Sequence, residues 1–121
     1  MNNSITTGNE FNFDRLLPAV LSSLNSELSQ KQYLSTYRQW KAWCKDNDVP
    51  TEDLMPANVA DFLANLKTRD DRYVSIATRS NKLAHIRKYV LLLKILAPEM
   101  TQMYDALCYM KVPKENAGTQ R

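Results

Sequence analysis

The chain predicts an all-α fold, a compact bundle of about five helices, and three observations point there. Apolar residues recur at three- and four-residue steps through most of the 121 residues, the spacing that gathers one face of a helix. The composition is that of a folded domain, 44% hydrophobic and 24% charged, and with only two Gly it leans helical. No internal repeat and no pair of strand-like runs stands out. The length suits one domain with a modest core and hardly two.

In order, residues 1–12 read as a polar, disordered lead-in, residues 13–112 as the domain, and residues 113–121 as the start of a linker. Phe13, Leu16, Leu17, Val20, Leu21 and Leu24 share a helical phase, but Pro18 is tolerated only in a first turn, which places the first helix at residues 17–26. Its strongly apolar character suits either core packing or a docking surface. Ser29 is a good N-cap for a second helix, residues 29–46. There Tyr33, Tyr37, Trp40 and Cys44 face inward, Trp43 lies at the edge, and Lys31, Ser35, Arg38, Ala42 and Lys45 face outward.

Asn47-Asp48-Val49-Pro50 breaks that helix, and Pro56 opens a third, residues 56–67, with Val59, Phe62, Leu63 and Leu66 inward. Residues 68–74 form a charged loop. Ser75 caps a fourth helix, residues 75–96, whose apolar stripe is Ile76, Leu83, Ile86, Val90 and Leu93. Its run Tyr89–Leu96 could be a strand, but Leu and Lys are good helix formers and the helical phase continues through it. Arg79 falls on the apolar side, where it either snorkels to the edge or pairs with an acid such as Asp71. Pro98 begins a last helix, residues 98–110, with Met100, Met103, Tyr104 and Leu107 inward.

The net charge of +3 is mild, but it is unevenly placed. Residues 1–30 hold one base against three acids, while Arg72–Lys94 holds six Lys or Arg and no Asp or Glu. Thr78, Asn81, Lys82, His85 and Lys88 fall opposite or beside the apolar stripe of the fourth helix at about 100° per residue. Such a face suits the major groove of DNA, where Lys neutralises phosphate and Asn can read an adenine edge. It equally suits a solvated surface helix, His85 then being a surface histidine.

Several chemistries have no residues to carry them. Cys44 and Cys108 are too few and too far apart for a disulfide framework or a metal site, and both read as buried small hydrophobes in a reducing cytoplasm. His85 is the single histidine. A Gly-rich phosphate loop is missing, and Glu52-Asp53 and Asp70-Asp71 sit in loops as solvated charges. No nucleophile has a plausible base, so no catalytic residue, metal or cofactor is expected. No secretory leader opens the chain, and the longest apolar run is too short for a bilayer, so no membrane partner is expected.

Three stretches carry a resemblance. They are Ser35-Thr36-Tyr37-Arg38-Gln39-Trp40-Lys41-Ala42-Trp43-Cys44-Lys45; Pro56-Ala57-Asn58-Val59-Ala60-Asp61-Phe62-Leu63 followed by Ser75-Ile76-Ala77-Thr78 and Leu83-Ala84-His85-Ile86-Arg87; and Lys114-Glu115-Asn116-Ala117-Gly118. In their order and spacing the chain resembles the N-terminal core-binding domain of the tyrosine recombinase and phage integrase family, over roughly residues 13–121. The resemblance implies a SAM-like bundle forming half of a clamp on double-stranded DNA at a recombination half-site. The second and fourth helices would face the major groove. It implies DNA contacts from Lys31, Gln32, Ser35 and Arg38, and from Ala77, Thr78, Asn81, Lys82, Arg87 and Lys88; helical geometry adds His85. Lys111 and Lys114 match basic positions that reach the backbone. The first and last helices would touch other recombinase subunits on DNA, with a monomer in its absence, in a bacterial or phage-encoded cytoplasmic protein. The catalytic half would lie in a second domain beyond residue 121, and none of the six Tyr here would be its nucleophile.

The chain departs from the family at Ala77, where a lysine occurs, at Arg79, where an apolar residue is preferred, and at Met110 and Pro113, where bases occur. Two other readings stay open. One is a SAM-like protein-interaction module without DNA, favoured by the apolar first helix. The other is a helix-turn-helix regulator, disfavoured by the long Thr68–Val74 loop.

Overall fold

The computed structural model describes residues 13–115; the lead-in expected at 1–12 and the linker residues 116–121 lie outside them. Among the described residues five α-helices follow one another: α1 (Phe13–Ser22), α2 (Glu27–Asn47), α3 (Pro56–Asn65), α4 (Ile76–Leu96) and α5 (Thr101–Tyr109), the last preceded by a 3-10 turn (Pro98–Met100). The all-α reading holds, and the helices fall close to where periodicity puts them.

The first helix begins four residues earlier than expected and ends four earlier. It runs through Pro18, with Leu16 and Val20 buried on one side. Pro18 removes one intrahelical hydrogen bond, and the apolar face holds the helix across the gap. The second helix is capped by Ser26 rather than Ser29: the Ser26 hydroxyl accepts the Ser29 N–H at 3.1 Å. Its far end closes on Asp48 in the left-handed region (φ 60°), whose N–H reaches the Cys44 carbonyl. Ser75 caps α4 as expected, accepting the Thr78 N–H at 3.1 Å.

Residues 66–74 are more ordered than an open charged loop. Val74 N–H donates to the Leu66 carbonyl (3.0 Å) and Thr68 N–H to the Arg72 carbonyl (2.7 Å), closing a tight hairpin around an isolated Lys67–Tyr73 bridge. Asp71 takes a positive φ of 64° at its tip. The hairpin delivers the chain from α3 to α4 without the short turn of a helix-turn-helix motif.

The core is one cluster to which every helix contributes, and α4 touches each of the others. Leu83, Ile86, Tyr89, Val90 and Leu93 are its buried side. Trp40 stacks on Trp43 at 5.4 Å, meets Phe62 edge-on at the same distance, and donates its indole N–H to the Thr51 carbonyl at 3.0 Å. That bond ties the α2–α3 connection to the centre. Lys41 pairs with Asp14 at 2.6 Å on the outside and holds α1 against α2.

Three expectations about which side chains enter the core fail. Cys44 is buried but Cys108 is exposed, because the short α5 turns only Leu107 fully inward. Ile76 is 41% exposed, since it opens α4 before the helix has entered the core. Arg79 neither snorkels nor reaches for Asp71, which sits 3.5 Å from Lys67; it is buried, and its guanidinium donates to the carbonyls of Pro113 and Glu115.

Candidate nucleic-acid interface

Where α2 and α4 cross, their polar flanks form the walls of an open groove of about 370 Å³. Gln32 and Ser35 come from α2, and Thr78, Asn81, Lys82 and His85 from α4. Steps of three and four residues put each set on one side of its helix. The packing of Tyr37 against Tyr89 (5.6 Å between ring centres) sits behind them and fixes how closely the helices approach.

The floor of the groove is a small polar network. The Thr36 hydroxyl lies 2.7 Å from His85 Nδ1 and accepts from Lys82 Nζ at 3.4 Å. Tyr33 stacks on the His85 ring at 4.0 Å, and the Tyr37 hydroxyl donates to the His85 carbonyl at 2.8 Å. His85 is therefore fixed in place rather than a free surface histidine. Burial, and then the neighbouring Lys82 charge, push its pKa down to about 4, so the imidazole is neutral at pH 7. With Nδ1 engaged by Thr36, Nε2 is the ring's remaining polar atom. Burial likewise lowers the Lys82 pKa.

Charge in the groove is unbalanced. Among the described residues no carboxylate pairs with Lys82, and Lys31, Arg38 and Lys88 are also without an ion pair. One ammonium, one neutral imidazole, two amides and two hydroxyls suit an anionic ligand that also carries hydrogen-bonding edges. Among the described residues no cluster of His, Cys, Asp or Glu could hold a metal ion, and no helix is long and apolar enough to cross a membrane.

The structure thus brings six of the sequence-selected residues together and distributes the rest. Arg38 is exposed on the outer side of α2, and Ala77 is exposed in the first turn of α4. Lys31 lies in a separate groove beside Leu21 and Leu34, and Lys88 in an apolar one with Ala19, Val20, Leu91, Leu92 and Ile95. Lys111 and Lys114 flank α3, next to Ala57, Ala60, Asp61 and Ala64. Arg87 is turned away from the groove: Nε donates to the Leu107 carbonyl (2.8 Å) and Nη2 to that of Met110 (3.0 Å), so it caps the end of α5.

Two residues of the groove escape a reading of the sequence. Thr36 looks like one more residue of a mixed helix, yet it is fully buried and joins His85 to Lys82. Tyr33 looks like core but supplies the stacking wall. The only hint is that Thr36 follows Gln32 by one turn, on the same flank. In comparisons with known proteins, no family model, no curated protein and no solved structure matches the chain.

Proposed function

We propose that this chain is a non-catalytic, double-stranded DNA-binding domain of the tyrosine recombinase and phage integrase type, with a SAM-like arrangement of its helices. In this reading α2 and α4 face the major groove of a recombination half-site, and the domain holds that site for strand cleavage and rejoining by a separate catalytic domain. The first and last helices make the contacts between subunits on DNA, and the protein acts in the cytoplasm.

The observation that carries the reading is the groove itself. A lysine without an ion pair lies between amide and hydroxyl side chains, on two helices that carry further bases, among them Lys31 and Arg38 on α2 and Lys88 on α4, that also lack ion pairs among the described residues. Lysine supplies attraction to phosphate that does not depend on sequence, and Asn81 and Gln32 supply groups that fit an adenine edge. A neutral His85 adds a hydrogen-bonding group without adding charge. The SAM-like protein-interaction reading keeps the same helices but gives the unpaired lysine and the amides no role.

Titration of a fluorescently labelled duplex tests it. Wild type should bind weakly at low salt and lose affinity steeply as salt rises. Lys82→Ala should weaken binding about tenfold and reduce the salt slope by about 1, while Asn81→Ala should reduce the preference among sequences more than the slope. No binding by wild type at low salt would overturn the proposal.

A further inference from the structure

We propose that Arg79, continued by Arg87, is a strap that fixes the course of the chain from the end of α5 through Glu115, with Arg79 as the positioning residue. Arg79 stands in the first turn of α4, beside Thr78 and less than one turn from the groove residues Asn81 and Lys82. It is 1% exposed. Its Nη1 donates to the Pro113 carbonyl at 2.8 Å and to the Glu115 carbonyl at 3.2 Å. Arg87, eight residues further along the helix, donates to the carbonyls of Leu107 and Met110. One helix therefore grips the carbonyls of residues 107, 110, 113 and 115 in succession, from the end of α5 into a stretch with no regular secondary structure.

The choice of residue explains the arrangement. A stretch outside helix and sheet has carbonyls with no backbone partner of their own, and Pro113 has no N–H with which to join a ladder. A guanidinium is planar, keeps its charge, and carries five donors in a fixed fork, so it can bridge two carbonyls two residues apart. Lysine would bring a compact ammonium on a flexible stem, and an aliphatic residue would fill the core without holding the outgoing chain. Burial of a charged group is tolerated where polar partners meet it, and these carbonyls supply them. The consequence is that residues 113–115 run at a fixed angle to the groove, because one helix turn carries both features. The strap does not depend on what the groove binds.

Its test uses the full chain with no nucleic acid present, so its failure and that of the duplex titration are separate events. Limited trypsin digestion reads the exit at Lys111 and Lys114, with Lys82 and Lys88 inside α4 as internal controls. Arg79→Leu should speed cleavage at Lys111 and Lys114 about tenfold and leave the α4 sites unchanged, and Arg79→Lys should restore part of the protection. In wild type, the backbone amides of Val112, Lys114 and Glu115 should show heteronuclear NOE values like those of the helices. A folded Arg79→Leu protein cut no faster than wild type would overturn the strap. So would wild-type amides at 112–115 that relax like a free tail, a result that decides the matter even if the variants do not fold.

Discussion

His85 shows how one side chain acquires its chemistry from its neighbours. Its ring is stacked by Tyr33, bonded by Thr36 and faced by Lys82, so the folded protein holds it neutral well below its ordinary pKa of 6.5, down to about 4. The unfolded chain therefore binds a proton that the folded one refuses. The stability associated with neutral His85 is fully present above pH 6.5 and is lost as pH falls toward 4. Because the ring is only partly buried, the effect is on the order of 1 kcal/mol after allowance for solvent screening. Chemical denaturation between about pH 5 and pH 6.5, above the range where most carboxylates titrate, should show stability falling with acid in wild type and much less so in His85→Gln. Equal slopes in the two proteins would show that the ring is protonated in the fold. At this scale the sequence is least informative. It places Arg79, Arg87 and His85 correctly on α4, but whether a polar side chain turns to solvent, to a carbonyl or to another helix is decided by elements far away in the chain. Arg79 and Arg87 answer to residues 107–115, and His85 to α2.

At the level of elements, far more is legible. Four of the five helices were marked by apolar periodicity and by punctuation that has a local cause: Asn47-Asp48-Val49-Pro50, Pro56, Ser75 and Pro98 each act within a turn of where they stand. The boundaries that moved did so where local signals compete. Ser26 and Ser29 are both able N-caps, and the fold selects the first. Ser26→Ala should therefore cost about 1 kcal/mol in thermal or urea unfolding, while Ser29→Ala should cost only a few tenths. The reverse order would return the cap to Ser29. Pro18 likewise marks a helix start on local grounds, but burial of Leu16 and Val20 carries α1 through it. The groove was half legible for the same reason. Periodicity assigns Ser35, Thr78, Asn81 and Lys82 to the outer flanks of two helices, the resemblance adds Gln32, and only the crossing of α2 and α4 makes those flanks one surface.

Across the whole molecule, α4 unites the core, the groove and the exit. Its buried side holds the other helices, its polar flank lines the groove, and its arginines hold the outgoing chain. The fold also divides the chain's two thiols. Cys44 is 1% exposed, and burial, with smaller effects from Glu52 and Asp53, pushes its pKa up to about 12, so it is neither reachable nor ionised at neutral pH. Cys108 is exposed on α5, beside the first carbonyls that Arg87 holds. A maleimide at pH 7 should therefore add once to the folded protein and twice to the unfolded one. Adduct mass then counts molecules that have opened their core, and the single folded-state adduct places a probe next to the strap without any substitution. Rapid double addition under native conditions would mean that the core around Cys44 opens far more often than its packing implies.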